Sequence, residues 1–264
     1  AKYRGMYARK IPVIPASLTD SYVVEELASD MCKPFSLVAG LNYASVSSYV
    51  MDLSALGVLG IAGREGAGRH NWVKYAVSVI EHSNPGRLRL YVADGISKRL
   101  VCFKDEEHTV SYSIIGDEAI AQVKALEGEL KQRYDALVEG NEAAVAEAPL
   151  LLFVIDNMDA AIAISNDRDA LAAYKNVIGK YKNLGVAVII SALENANIPY
   201  GAPEVIKGLK EQKNLLFFDD MVNLKIYDLP LSLTKLYKKQ IELGDAYYIK
   251  ENDCCKLKTP LFTG

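Results

Sequence analysis

The chain reads Val58-Leu59-Gly60-Ile61-Ala62 and then Gly63-Arg64-Glu65-Gly66-Ala67-Gly68-Arg69-His70, and this stretch decides its fold. An apolar run, a glycine-rich turn and a following helical pattern are typical of the P-loop G-x-x-x-x-G-K-[ST], whose backbone amides hold phosphates. Here the glycines remain, but arginine stands at the lysine position and histidine at the serine or threonine position. We predict a nucleotide-binding loop formed by Gly63, Arg64, Glu65, Gly66, Ala67, Gly68, Arg69, His70 and Asn71.

The two replacements change the chemistry of the predicted loop. Arg69 keeps the positive charge but presents it as a planar fork, and we expect its side chain to be exposed at the loop. His70 removes a hydroxyl that would ligate Mg²⁺, and imidazole nitrogen is a poor ligand for that hard cation. An ordinary glycine-rich turn between a strand and a helix would have the same glycine spacing, so a second signal is needed.

The second signal is Phe153-Val154-Ile155-Asp156, an apolar strand that ends in a carboxylate, as in a Walker B motif. Asp156 would hold Mg²⁺ through water at the carboxyl end of a central strand, or would only cap the following turn. The next residue, Asn157, can hydrogen-bond a water but cannot take its proton. Loss of a positioned general base costs about 10²–10⁴-fold in rate. We therefore predict weak ATP binding with little hydrolysis, and we assign no catalytic residue and no metal ligand set.

Apolar runs alternate with helical patterns along the rest of the chain, which favours an α/β fold with a mostly parallel sheet and helices on both faces. We predict a C-terminal β-hairpin from residues 246–249 and 254–257. One domain over residues 1–264 is expected, with an irregular lead-in and an accessory strand in residues 1–50. The predicted strands are 58–62, 88–93, 150–155, 186–190 and 215–218, and the predicted helices are 71–82, 117–139, 167–182 and 204–212.

Composition limits the function classes. The formal net charge of −3 argues against a surface that grips nucleic acid non-specifically, and no apolar run approaches the roughly 18–20 residues of a membrane span. The N-terminal residues do not have the pattern of a signal peptide. None of the four cysteines forms C-x-x-C, so we expect reduced packing residues in the cytosol, including the adjacent Cys254 and Cys255.

With both motifs placed, the chain resembles the FtsK/SpoIIIE family of RecA-like P-loop ATPases over most of its length. More narrowly, it is similar to the C-terminal ATPase module of the EssC/EccC translocases of type VII secretion. Five further segments occur in the order of that family: PFSLVAGLNY at 34–43, YVMDL at 49–53, ELKQRY at 129–134, LGVAVIIS at 184–191 and GDAYY at 244–248.

The resemblance implies a RecA-like core over residues 51–264 and places Ser191 near a polar sensor position of the nucleotide site. It also implies a cytoplasmic module of a membrane-anchored protein, itself soluble, that recruits substrates and regulates. Its expected partners are the preceding ATPase modules, small helical WXG100-type substrates with a C-terminal signal, and further copies in a hexamer. No nucleic acid is expected. The alternatives are a DNA-translocase motor module of the same family, and a substrate receptor with a vestigial nucleotide site.

Overall fold

The computed structural model describes residues 13–193, 197–198 and 200–264, so the first twelve residues of the predicted lead-in lie outside the described part. Within these residues, ten strands form one sheet. They are β1 (Ser36–Asn42), β2 (Ser47–Asp52), β3 (Gly57–Gly63), β4 (Leu88–Ala93), β5 (Thr109–Ser113), β6 (Leu150–Ile155), β7 (Val186–Leu193), β8 (Asn214–Phe218), β9 (Asp245–Lys250) and β10 (Asp253–Lys258). The α-helices are α1 (Asp20–Glu26), α2 (Arg69–Ser83), α3 (Glu118–Val138), α4 (Ala143–Ala146), α5 (Met158–Asn166), α6 (Arg168–Ile178), α7 (Glu204–Gln212) and α8 (Leu231–Leu236).

The strand order is β2-β1-β10-β9-β8-β3-β7-β6-β4-β5. The strands from β8 to β5 in this order pair in parallel, whereas β9, β10, β1 and β2 extend the sheet through antiparallel pairs. The parallel arrangement brings the carboxyl ends of β3, β4, β6 and β7 to one edge, where open α/β sheets bind ligands. The predicted α/β class and the predicted C-terminal hairpin, β9 with β10, are confirmed.

Apolar side chains cover both faces of this sheet. One buried cluster joins α3, α5, α6 and α7 to the sheet, and a second joins α1 and α2 to the opposite face. All six residues of β6 are buried, as the continuous apolar run predicted for a central strand. The adjacent cysteines alternate between faces, because Cys254 packs against the first cluster and Cys255 against the second.

Several element boundaries differ from the prediction for local reasons. The helix predicted over 167–182 ends at Ile178, with Gly179 as its C-cap. The elements that were not predicted include β5, whose five residues are mostly polar, and α5, which starts at Met158, shortly after the end of β6. The lead-in supplies two strands, β1 and β2, instead of one. That residues 1–264 form one domain stays a prediction.

The structure also bears on membrane insertion. Within the described residues, no helix combines the length and the apolar character that crossing a bilayer requires.

Candidate nucleotide site

The glycine-rich loop connects β3 to α2 at the ligand-binding edge of the sheet. Gly63 has φ +148°, and a Cβ on it would lie 2.5 Å from the carbonyl oxygen of Phe218, so only glycine allows this approach to β8. Gly66 and Gly68 also have positive φ. The first turn of α2 presents amides that have no partner within the helix, and such a turn attracts anions. The backbone therefore keeps the form of a phosphate cradle.

The side chain at the lysine position of the loop points into the protein. Arg69 is only 4% exposed, and its Nη1 donates to the carbonyl oxygens of Ser191 at 2.9 Å and of Leu193 at 2.7 Å. The prediction that Arg69 is exposed is wrong. Because α2 begins against the carboxyl end of β7, backbone carbonyls at that strand end lie within reach of the guanidinium. A phosphate would have to compete with these two bonds, each worth about 1.5–3 kcal/mol.

A hydrogen-bonded cluster surrounds Asp156, the residue predicted to hold Mg²⁺ through water. Nε2 of His70 lies 2.9 Å and 3.0 Å from the two carboxylate oxygens of Asp156, and Oγ of Ser191 donates to Oδ1 of Asp156 at 2.7 Å. The side chain of Asp156 is 4% exposed, so this carboxylate is largely shielded from water. Three predicted site residues thus meet, although His70 and Asp156 are 86 positions apart.

These residues do not fit Mg²⁺. The ion prefers octahedral oxygen ligands and keeps several waters. Here both oxygens of Asp156 already accept hydrogen bonds, and an imidazole lies where the hydroxyl ligand of a P-loop would be. Among the described residues, no group of three histidine, cysteine or acidic side chains is arranged to hold a metal ion.

The asparagine after Asp156 has a structural role. Asn157 is 8% exposed, its Oδ1 caps α5 by accepting from the amide of Asp159 at 2.8 Å, and its Nδ2 donates to the carbonyl oxygen of Asp94 at 3.1 Å. The same Nδ2 lies 3.4 Å from the carbonyl oxygen of Ile114. We expected this amide to be able to hold a water, but its hydrogen bonds are used by the backbone.

The remaining predicted loop residues contact other parts of the fold. Glu65 is exposed and pairs with Arg99 at 2.5 Å, and this hydrogen bond lowers the pKa of its carboxyl group. Asn71 donates to the carbonyl oxygen of Pro260 and accepts from the amide of Phe262, each at 3.0 Å, which ties the C-terminal segment to α2. Arg64 is exposed, whereas Ala67 is buried in the core. Arg64 is thus the cationic side chain of the loop that faces solvent.

One structural residue at this edge was missed by the sequence analysis. Asp94 follows β4, is fully buried, and accepts from the amides of Gly95 and Leu100 and from the hydroxyl of Tyr112. Burial, together with this hydrogen bond, raises the pKa of Tyr112. The signal was present in the sequence, since an apolar strand ending in aspartate occurs here as it does at Asp156. A cleft of about 530 Å³ opens between these strand ends and includes Ile96 and Asn157 in its lining.

Comparisons with known proteins identify the fold. No family model matches the sequence, and no curated protein is similar to it at sequence level. Among solved structures, the cytoplasmic domain of EssC superposes with a TM-score of 0.78 at 19% identity, covering 98% of this chain and 50% of that one. EssC ATPases 2 and 3 from Geobacillus thermodenitrificans give 0.72 at 20%, covering 99% and 48%. Thermomonospora curvata EccC ATPases 2 and 3, in complex with a signal sequence peptide, give 0.68 at 15%, covering 97% and 45%.

This chain therefore spans about half the length of each of these three structures. At such low identity the superpositions are evidence for the fold. The chain has the RecA-like P-loop ATPase fold of the EssC and EccC cytoplasmic domains, as its resemblance to the FtsK/SpoIIIE family predicted.

Proposed function

We propose that this chain is an FtsK/SpoIIIE-family ATPase module of a membrane-anchored type VII secretion translocase that binds nucleotide weakly and hydrolyses little. Its role is then substrate recruitment and regulation. The observation that carries the proposal is the state of Asp156, whose two carboxylate oxygens are taken by His70 and Ser191. The carboxylate at the Walker B position is therefore hydrogen-bonded by side chains of the protein itself.

The balance of interactions supports weak binding. The amides at the start of α2 and in the loop can still donate hydrogen bonds to an anion, and Arg64 contributes an exposed positive charge. Against this, Arg69 would have to leave two buried carbonyl acceptors to reach a phosphate, at about 1.5–3 kcal/mol for each bond. Little binding free energy remains after that exchange.

The same features penalise hydrolysis more severely than binding. Phosphoryl transfer depends almost entirely on positioned charge around the transferred group. Here the loop cation is turned inward, the residues at the metal position do not fit Mg²⁺, and Asn157 is engaged with the backbone. Each loss affects a group that acts on the transition state, so the losses multiply in the rate.

The partner assignments rest on the fold and on the sequence resemblance. The EccC structure that superposes on this chain was solved with a signal sequence peptide, which supports a recruitment role for modules of this fold. We extend this to small helical WXG100-type substrates, to neighbouring ATPase modules of the same chain, and to hexamerisation of the full-length protein. Localisation as a cytoplasmic part of a membrane-anchored protein belongs to the same proposal.

The direct test is to mix the chain with labelled ATP and Mg²⁺ and to measure binding and phosphate release separately. We expect weak, saturable binding and phosphate release near background. Turnover near about 10 s⁻¹, the median for enzymes, would refute the proposal. A preparation freed of contaminating ATPases by a second chromatographic step is the necessary control.

A second candidate is a substrate receptor whose nucleotide site is vestigial. It is favoured by the same inward contacts, because Arg69 and His70 both have partners inside the protein. A ligand that binds only the folded state must raise the melting temperature. An identical melting temperature with and without excess MgATP would favour this receptor over the nucleotide-binding module.

The DNA-motor alternative has less support. The net charge of −3 and the engaged amide of Asn157 do not suit a motor that needs a basic channel and a catalytic base. Duplex DNA binding that falls steeply with salt would support it, since each neutralised phosphate adds to the salt slope.

A further inference from the structure

A groove between the start of α3 and the length of α5 presents apolar side chains to solvent. It has a volume of about 520 Å³. We call it the α3–α5 groove, and its lining includes Ile115, Asp117, Ile120, Asp159 and Ile162. Ile115 is 55% exposed and Ile162 is 40% exposed, which is high for isoleucines that share one depression. Adjacent exposed apolar side chains with a polar rim are typical of interaction sites.

The walls of this groove are fixed by contacts beneath them. A Cβ on Gly116 would lie 2.8 Å from the carbonyl carbon of Asp159, so the loop before α3 lies directly against the first turn of α5. The hydroxyl of Ser113 accepts from the amide of Ile115 at 2.9 Å and bonds the carboxylate of Glu118. The groove is therefore formed before any partner arrives, which reduces the ordering cost of binding.

One side chain connects both walls to the nucleotide site. The Oδ1 of Asn157 caps α5 by accepting from the amide of Asp159. Its Nδ2 lies 3.4 Å from the carbonyl oxygen of Ile114, the residue before Ile115 in the groove. Asn157 directly follows Asp156, the centre of the cluster with His70. A partner seated in the groove would thus contact the two segments that Asn157 holds together.

The charge of the rim restricts what can bind. Three carboxylates line the groove, those of Asp117, Asp159 and Asp167. Asp167 already pairs with Lys124 at 3.2 Å. Within the described residues, neither Asp117 nor Asp159 takes part in an ion pair, and both residues are exposed. The rim therefore repels anionic segments and anionic lipid surfaces and attracts cationic ones.

We propose that the α3–α5 groove docks a cationic amphipathic helix of a partner protein. The apolar side chains of this helix pack against Ile115, Ile120 and Ile162, and its lysines or arginines pair with Asp117 and Asp159. This assignment concerns a surface separate from the phosphate loop and stands whether or not the loop binds nucleotide. It follows the helix-in-groove mode of recognition, with anchors spaced three and four residues apart.

The test uses two fluorescent peptides of about 14 residues, or four helical turns, with leucines at helical spacing. One carries lysines at the remaining positions and the other carries glutamates. Fluorescence anisotropy is expected to show saturable binding of the lysine peptide that weakens in about 0.3 M salt, and no saturable binding of the glutamate peptide. Equal binding of both peptides, or none by either, overturns the proposal.

Matched variants locate the site on the chain. Asp117→Asn with Asp159→Asn should weaken the lysine peptide by up to about 5-fold per carboxylate, and Ile162→Asn by about 10-fold or more. The control Asp105→Asn with Glu106→Gln removes two exposed carboxylates elsewhere and should leave affinity unchanged. If the control lowers affinity as much as the groove variants do, the peptide binds by net charge and the proposal fails.

Two further measurements keep the result interpretable. Circular dichroism melting of each variant shows whether it is folded, and the two exposed aspartates can be replaced without removing core contacts. Sedimentation velocity of the unmodified chain tests the competing occupant, a second copy. Self-association that Ile162→Asn abolishes would assign the groove to a homotypic contact and overturn the partner assignment.

Discussion

Replacement of Arg69 by alanine tests whether this side chain is available to bind phosphate or stabilises the folded protein. A side chain exposed at the loop would be removable at almost no cost in stability. The structure places it at 4% exposure, with Nη1 bonded to the carbonyl oxygens of Ser191 and Leu193. Arg69→Ala deletes these bonds and leaves two strand-end carbonyls without their charged donor.

The magnitude follows from the two bonds. A hydrogen bond to a charged group contributes about 1.5–3 kcal/mol, so the pair is worth about 3–6 kcal/mol. Water can enter the space left beside the loop and replace part of the loss, so we expect the lower end, about 3 kcal/mol. For a chain of this size, 1 kcal/mol shifts the melting temperature by about 2–4 °C, which predicts a fall of roughly 6–12 °C.

The assay is urea denaturation at pH 7 in the absence of nucleotide, followed by circular dichroism, with thermal melting as a second probe. Arg64→Ala is the matched control, because it removes the same side chain from an exposed position of the same loop. We expect that control to stay within about 0.5 kcal/mol of the unmodified chain. If Arg69→Ala is as stable as the control, the guanidinium is not held by β7 and is available to a phosphate, and the reasoning is refuted.

The remaining predictions concern the metal position, the engaged amide and the paired thiols. Arg69→Lys with His70→Ser should make ATP binding tighter in Mg²⁺ than in EDTA by calorimetry, whereas the unmodified chain should show no such difference. Asn157→Glu should lose about 1–3 kcal/mol by denaturation, because its donor to a buried carbonyl is gone, and should not raise phosphate release; a faster rate would contradict its structural role. Burial raises the pKa of Cys254 to about 12 and of Cys255 to about 11, so iodoacetamide should label both far more slowly at pH 8 than after unfolding. Because these folded pKa values lie above the unfolded value of 9.0, their stabilising contribution is complete below pH 9 and is lost as pH rises through 11, which denaturation between pH 8 and 11 can measure.

The elements that were predicted well carry strong local signals. The continuous apolar run of β6 and the run of β4 were placed at their observed boundaries, as was α7. The short strand β5 was not predicted because three of its five side chains are small and polar, so its place in the sheet depends on its pairing with β4.

The candidate site shows the same division. The residue types at the phosphate loop and at Asp156 could be read from the sequence, and so could their departures from an active ATPase. The internal contacts could not, because Arg69 and Ser191 are 122 positions apart and meet only when α2 packs against the end of β7. The residues next to Arg69 in the sequence do not indicate whether its side chain faces solvent or a backbone carbonyl.

The P-loop α/β fold can be predicted from the order of residues alone, since glycine spacing, apolar periodicity and strand-end carboxylates act over a few residues. The use of the substituted side chains depends instead on how the elements pack. His70 bonds the carboxylate of Asp156, and Asn157 joins Asp94 to the cap of α5. A buried polar group must form a hydrogen bond, and its partner is whichever group the three-dimensional packing brings within reach.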